Sequence, residues 1–178
     1  MEYGYVCFAY SKNEWIAKVI AWFTKSQWSH CFITVPPMLE QEMVMEASEG
    51  GVEMITFNSA YRNNPTQKYE VYKVNCSQES TDQAILTCMG QLEVGYGFKH
   101  YPWFMWRSLC KLFGKDIKSQ DNWCHSGDVC SDLTRLRLES GGLKDLLAGF
   151  GKNSASAQDL YEIVKTYPEF FELIESKN

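Results

Sequence analysis

Two short segments constrain this chain more than any others: Trp28-Ser29-His30-Cys31-Phe32-Ile33, and Val129-Cys130-Ser131-Asp132-Leu133. The first has the β-branched and aromatic composition of a strand and carries a histidine. The second reads as a helix that opens on a cysteine. A fold that brings the strand end and the helix start together sets a base beside a thiol, the requirement for a cysteine nucleophile. Geometry and roles, not chain order, define such a site.

The rest of the pattern is mixed. Tyr3 to Ala9 reads as a strand. Glu14 to Lys25 places Trp15, Ile16, Val19, Ile20, Trp22 and Phe23 at helical spacing, which predicts an amphipathic helix. Ser29 to Val35 is strand-like and Pro36-Pro37 is expected to break it. Met43 to Ala47, Val52 to Phe57 and Tyr69 to Val74 are further strands, the first two separated by Glu49-Gly50-Gly51. Thr81 to Glu93 reads as a helix with Ile85, Leu86, Met89 and Leu92 on its apolar face. The aromatic run from Tyr96 to Trp106 fits no simple period and is read as core packing plus a covering loop. Gly114 to Asn122 is a polar loop. Ser131 to Glu139 is helical and stops at Gly141-Gly142, and Ser156 with Asp159 forms a capping box for a last helical region. The expectation is one α+β domain over residues 1–178, an antiparallel sheet packed against helices, with a core at about 3–138 and a C-terminal helical extension at about 156–176.

Composition removes several classes of function. With 45% hydrophobic residues among 178, the chain can fill one core without staples. Its net charge is -5 and no lysine or arginine run stands out, which argues against a nucleic-acid phosphate surface. No apolar stretch approaches the roughly 18 residues that span a bilayer, and the start lacks a signal-peptide pattern, so no stable membrane insertion and a cytoplasmic location are expected. Seven cysteines, an odd number without a small secreted scaffold, are expected to be reduced. Cys7, Cys31, Cys88 and Cys110 read as small core hydrophobes, and Cys76 as a loop residue.

Cys130 stands where a helix start lowers a thiol pKa, with Asp128 as a candidate cap and the first-turn N–H groups as candidate oxyanion donors. A hairpin centred near Met38 would pair Thr34 with Glu42, Phe32 with Val44 and His30 with Glu46, so that Glu46 orients the imidazole. A one-residue slip would send Glu46 to the other face. Each residue alone has a plainer reading: a structural histidine, a solvent-facing glutamate and a core cysteine. His100 is expected at the surface.

The order of these motifs, Trp-Ser-His before an apolar strand, then Met-Glu-Ala, Gly-Gly-Val and a late Cys-Ser-Asp-Leu, resembles the circularly permuted branch of the NlpC-type papain-like superfamily. YiiX-like proteins and relatives of lecithin:retinol acyltransferase belong to that branch. The resemblance spans residues 3 to about 138; Tyr96-Gly97-Phe98 and Ala157-Gln158-Asp159-Leu160 are similar to elements of small members, some encoded by phages. It implies a permuted papain-like fold with the nucleophile at a helix N-terminus, and the roles of base, orienter and nucleophile for His30, Glu46 and Cys130. It also implies a host cytoplasm if a phage encodes the chain. Two features depart from the pattern: Phe32 stands where many members have a small residue, and Tyr3-Gly4-Tyr5 stands where a Gly-Asp pair is common.

The leading reading is a cysteine hydrolase of the peptidase or amidase class, acting without a cofactor on an amide, ester or thioester of a peptide or acylated small molecule. Ser29, Tyr96, Trp123 and Cys124 are the expected substrate-binding residues, with the backbone at Trp123 and Cys124 near the oxyanion. The alternatives are an acyltransferase whose aromatic run holds an apolar chain, and a papain-like binding module without chemistry. A metal site from Cys124, His125 and Cys130, with or without His30, matches no regular zinc spacing. Cys124 is also a rival nucleophile, although the adjacent His125 would point away from it on an extended segment.

Overall fold

Strand β1 (Val6–Ser11) is almost wholly buried because both of its faces are covered, which is why it reads as an unbroken apolar run and not as an alternation. The computed structural model describes residues 2–13, 15–124, 127 and 129–178, and for Ile16, Ile20, Phe23 and Thr24 the backbone alone. Helix α1 (Trp15–Thr24) follows, then the strands β2 (His30–Met38), β3 (Gln41–Ser48), β4 (Gly51–Thr56) and β5 (Gln67–Val74). Helices α2 (Gln78–Met89), α3 (Tyr101–Leu112), α4 (Cys130–Leu138) and α5 (Ala157–Thr166) precede a last strand, β6 (Phe171–Lys177). Among the described residues the strands form a six-stranded antiparallel sheet in the order β4-β3-β2-β1-β5-β6.

The larger core lies on one face, where Val6, Phe8, Cys31, Ile33 and Met45 meet Leu133 and Leu138 of α4 and Leu160 of α5. On the other face Cys7, Phe32, Val44 and Val71 pack under Phe57 and Tyr61, the latter on a single π-helical turn at Asn58–Arg62. No described helix is long and apolar enough to cross a membrane.

Several expectations are corrected. The hairpin register places Thr34 opposite Val44 and Ile33 opposite Met45, two residues from the expected pairing, because Met38 pairs with Gln41 across a tight turn at Leu39 and Glu40. Both turn residues have positive φ, 49° and 63°, the geometry that matches strand twist in a two-residue hairpin. Pro36-Pro37 does not end β2; the ladder is irregular between Val35 and Met38 and resumes, since proline removes a donor without forbidding extended backbone. An even shift keeps Glu46 on the face of His30, so the side chains still meet.

The C-terminal extension is helical only as far as Thr166. After a turn at Pro168, residues Phe171–Lys177 form β6, whose Phe171 is buried and whose Glu175 and Lys177 tie it to the π-helical turn. Arg62 donates to both oxygens of Glu175 at 3.0 and 2.7 Å, and Lys177 Nζ donates to the carbonyls of Tyr61 and Arg62 at 3.2 and 3.0 Å. A charged, short strand on a sheet edge carries little periodic signal.

Helix α2 buries Thr81, Ala84, Ile85 and Cys88, whereas Leu86 is exposed. Helix α1 leaves Trp15, Val19 and Trp22 exposed instead of in a core. The aromatic run is a 3-10 turn leading into α3, of which Trp103 and Arg107 are the buried members. Arg107 Nη1 and Nη2 donate to Asp159 at 2.5 and 2.9 Å, and Asp159 also accepts from Ser156 N at 2.8 Å, completing the expected capping box of α5. A buried arginine paid for by a partner far along the chain is invisible to periodicity.

Candidate functional site

At the start of α4 the backbone at Val129 is extended, and its N–H donates to Asp132 Oδ2 at 3.2 Å while Asp132 N donates back to Val129 O at 2.9 Å. This local loop places Cys130 in the first helical position, with its sulfur facing β2. Asp128 and His125, considered as cap and metal ligand, lie outside the described residues.

His30 opens β2 and donates through Nε2 to Glu46 Oε2 at 2.9 Å, which leaves Nδ1 for its hydrogen bond with Cys130. Glu46 is buried and also accepts from Tyr61 Oη. Phe32 lies beneath the imidazole, 6.0 Å between ring centroids at an interplanar angle of 28°, and stacks on Tyr61 at 4.2 Å. Phe32 is thus the floor on which the histidine and tyrosine rings rest.

The electrostatics follow from these contacts. The hydrogen bond from the Cys31 thiol holds the Cys130 pKa well below its usual value against the opposing effect of burial, and the charge of His30, its hydrogen bond and the Cys31 backbone N–H add to it. Burial works against a proton on His30, but the Cys130 thiolate and then Glu46 outweigh it, and the imidazole pKa is raised well above the usual one. Burial likewise opposes the charge on Glu46; the His30 and Tyr61 bonds overcome it and lower its pKa. Burial and the bond to Cys130 push the Cys31 thiol up. The pair favoured at neutral pH is therefore thiolate and imidazolium.

The site lies in a cavity of about 540 Å³. His30, Glu46, Cys130, Ser29 and Tyr96 line it, as do Phe98, Tyr101, Phe104 and Met105 from the aromatic run. Trp15 and Val19 of α1 form the opposite wall. The structure thus brings together five of the residues singled out from sequence and leaves out two. Trp123 is outside the cavity and packs edge-on against Trp103, with centroids 4.9 Å apart. Cys124 is buried outside it too, and its N–H is already taken by Asn122 Oδ1 at 2.9 Å, so it is not an oxyanion donor. On α4 the Asp132 N–H is taken by Val129 O at 2.9 Å, so the N–H groups of Cys130 and Ser131 are the candidate oxyanion donors.

His100 is fully buried, not at the surface: Asn122 Nδ2 donates to its Nδ1 at 3.0 Å, and its Nε2 bonds Gly127 O at 3.2 Å. It holds the segment that leads into Cys130. Gly127 has φ 75°, and a Cβ there would stand 2.6 Å from Gly95 O, so a bare backbone is needed where the two loops cross. Sequence reasoning missed Tyr61 and the part played by Cys31. Tyr61 carries no sequence signal, since only the tertiary fold brings the π-helical turn to Glu46; Cys31 was adjacent to His30 and read as inert. Cys110, read as core, is half-buried on α3, and Cys76 is half-buried with its sulfur 3.2 Å from Thr81 Oγ1.

No family model matches the chain, and no curated protein matches it. Among solved structures it is similar to the crystal structure of the metalloprotein yiiX from Escherichia coli O157:H7, with 18% sequence identity and a TM-score of 0.60. That likeness covers 99% of this chain and 97% of the other. Among the described residues of this chain, no three His, Cys, Asp or Glu side chains converge as a metal-holding group. The chain therefore has the α+β fold of yiiX over nearly its whole length, a six-stranded antiparallel sheet packed against helices.

Proposed function

We propose that the protein is a cysteine-dependent acyl hydrolase of the permuted NlpC-type papain-like class, with Cys130 as nucleophile, His30 as base and Glu46 as the residue that orients it. The observation that carries this reading is the chain of contacts from Cys130 through His30 to Glu46 and Tyr61 at the floor of an open cavity. The thiolate attacks an ester, thioester or amide carbonyl carbon, and the C=O electron pair moves to oxygen, where first-turn N–H groups of α4 receive the charge. Collapse of that intermediate expels the leaving group, which takes the proton from imidazolium. A water then gives its proton to His30 and attacks the thioester, and the acid leaves as the thiol is regenerated.

Transfer to an acceptor other than water is the second reading, favoured by the apolar wall of Phe98, Phe104 and Met105, which suits an acyl chain better than a charged peptide. Intact-mass analysis after brief exposure to p-nitrophenyl esters of short and long acyl groups tests both. An acyl adduct on Cys130 is expected in the wild-type chain and none in Cys130→Ala. Decay in water alone supports hydrolysis, and decay only with an added alcohol or amine supports transfer. Absence of any adduct points to a papain-like module that binds without reacting.

A further inference from the structure

Helices α1 and α3 lie side by side at the cavity mouth, since Trp15 and Val19 of one and Phe104 and Met105 of the other line the same cavity. Their exposed faces, which continue from the cavity wall, are unusually apolar. Trp15, Val19 and Trp22 recur at helical spacing on α1, with Trp15 and Trp22 71% and 75% exposed. On and just after α3, Trp106, Leu109, Leu112 and Phe113 are exposed as well, Phe113 by 78%. Apolar side chains scattered singly need no explanation, but two adjacent helices that both present them do.

The charges around this face are mostly positive, with exposed Glu49 at the cavity and exposed Asp116 just after α3 as acidic neighbours. Lys18, Lys25, Lys99, Lys111 and Lys115 are exposed, and residues 15–25 and 98–115 contain no aspartate or glutamate, in a chain whose net charge is -5. Arg107, the other cation there, points inward to Asp159. Large aromatic and aliphatic groups rimmed mainly by lysine are the pattern of a helix lying in a bilayer interface, with the apolar face among acyl chains and the ammonium groups at anionic headgroups. At 10 and 12 residues, α1 and α3 are too short to span a bilayer but long enough to lie on one.

We infer that the face formed by α1 and α3 docks the protein peripherally on an anionic lipid surface, with the cavity mouth turned toward it. A protein surface would have to match the same wide apolar stripe with acidic rims; a lipid surface does so without specific shape. The inference does not rest on the chemistry of Cys130, and Cys130→Ala is expected to dock as the wild-type chain does.

Co-sedimentation of the full chain with phosphatidylcholine vesicles, with and without phosphatidylglycerol, tests this. Binding is expected only to the anionic vesicles, with a blue shift of tryptophan emission and a loss of binding as salt is added. Each lysine at the surface is worth about fivefold in binding, so Lys18→Glu with Lys111→Glu is expected to weaken it by at least about 25-fold. Trp22→Glu with Phe113→Glu is expected to abolish it with an unchanged circular dichroism spectrum. No binding to anionic vesicles at low salt would overturn the inference, as would equal binding by the apolar double variant. Light scattering that shows a dimer which the double variant dissolves, with no vesicle binding, would instead make this face an interface between two copies.

Discussion

Cys130→Ala is expected to abolish turnover of activated acyl esters, with a loss of at least about 10³-fold, because no other thiol lines the cavity among the described residues. The nearest thiol, Cys31, is fully buried in the larger core, and burial together with its bond to Cys130 keeps it protonated. The substitution removes only a sulfur, so the melting temperature is expected to change by a few degrees at most. A second consequence concerns His30. The Cys130 thiolate is the foremost group that supports the imidazolium, so the His30 pKa is expected to fall in the variant, readable in the ring proton shifts across a pH titration. In the wild-type chain the active pair exists between the depressed Cys130 pKa and the raised His30 pKa. The rate should therefore fall on the acid side as the thiolate is protonated and on the alkaline side as the imidazolium is lost. Persistent turnover by Cys130→Ala would place the chemistry elsewhere.

Asp159→Ala is expected to destabilise the fold by about 3–5 kcal/mol, because it strands the buried Arg107 and removes the carboxylate of the α5 capping box. In a domain of this size that lowers the melting temperature by roughly 10 °C. The variant also frees the junction of α3 and α5 behind the cavity. Burial alone would raise the Asp159 pKa, but the hydrogen bonds and charge of Arg107 and the Ser156 contacts lower it overall. A carboxylate whose folded pKa is depressed contributes stability that is present above its unfolded value, about 3.9, and is lost as pH falls through the folded one. Urea unfolding should therefore show a large gap between wild type and variant at neutral pH and a smaller one in strong acid. Arg107→Met combined with Asp159→Leu should recover much of the loss, since a packed apolar pair replaces an ion pair without an orphaned charge.

What could be read from the sequence was local. The strands around His30, Glu46 and Tyr69 and the start of α4 announce themselves by period and composition, and the motif order pointed to His30, Glu46 and Cys130, which the fold brings into contact. The register of β2 and β3 was two residues off because turn length decides it, and a Leu-Glu turn with positive φ has no sequence signature such as Asn-Gly. Glu46 survived that error only because the shift was even. Helix α1 misled because Trp15, Val19 and Trp22 are exposed, and periodicity gives a helix but not the side that is buried; the run that becomes α3 has no clear period and reads as core packing plus a loop. Strand β6 and the turn bearing Tyr61 depend on Arg62, Glu175 and Lys177 meeting across the sheet edge, a contact between distant segments that no window of sequence contains.

Cys130 is held ionised by the hydrogen bond from Cys31 and, after it, by the charge and hydrogen bond of His30. The pH dependence of iodoacetamide modification at each cysteine, mapped by peptide mass in the wild-type chain and in His30→Ala, tests this most directly. Cys130 alone is expected to react fast below pH 7, with an apparent pKa well below the ordinary thiol value of about 8.5 that His30→Ala moves upward. A Cys130 that titrates like an ordinary thiol, or that reacts equally with and without His30, would contradict the account.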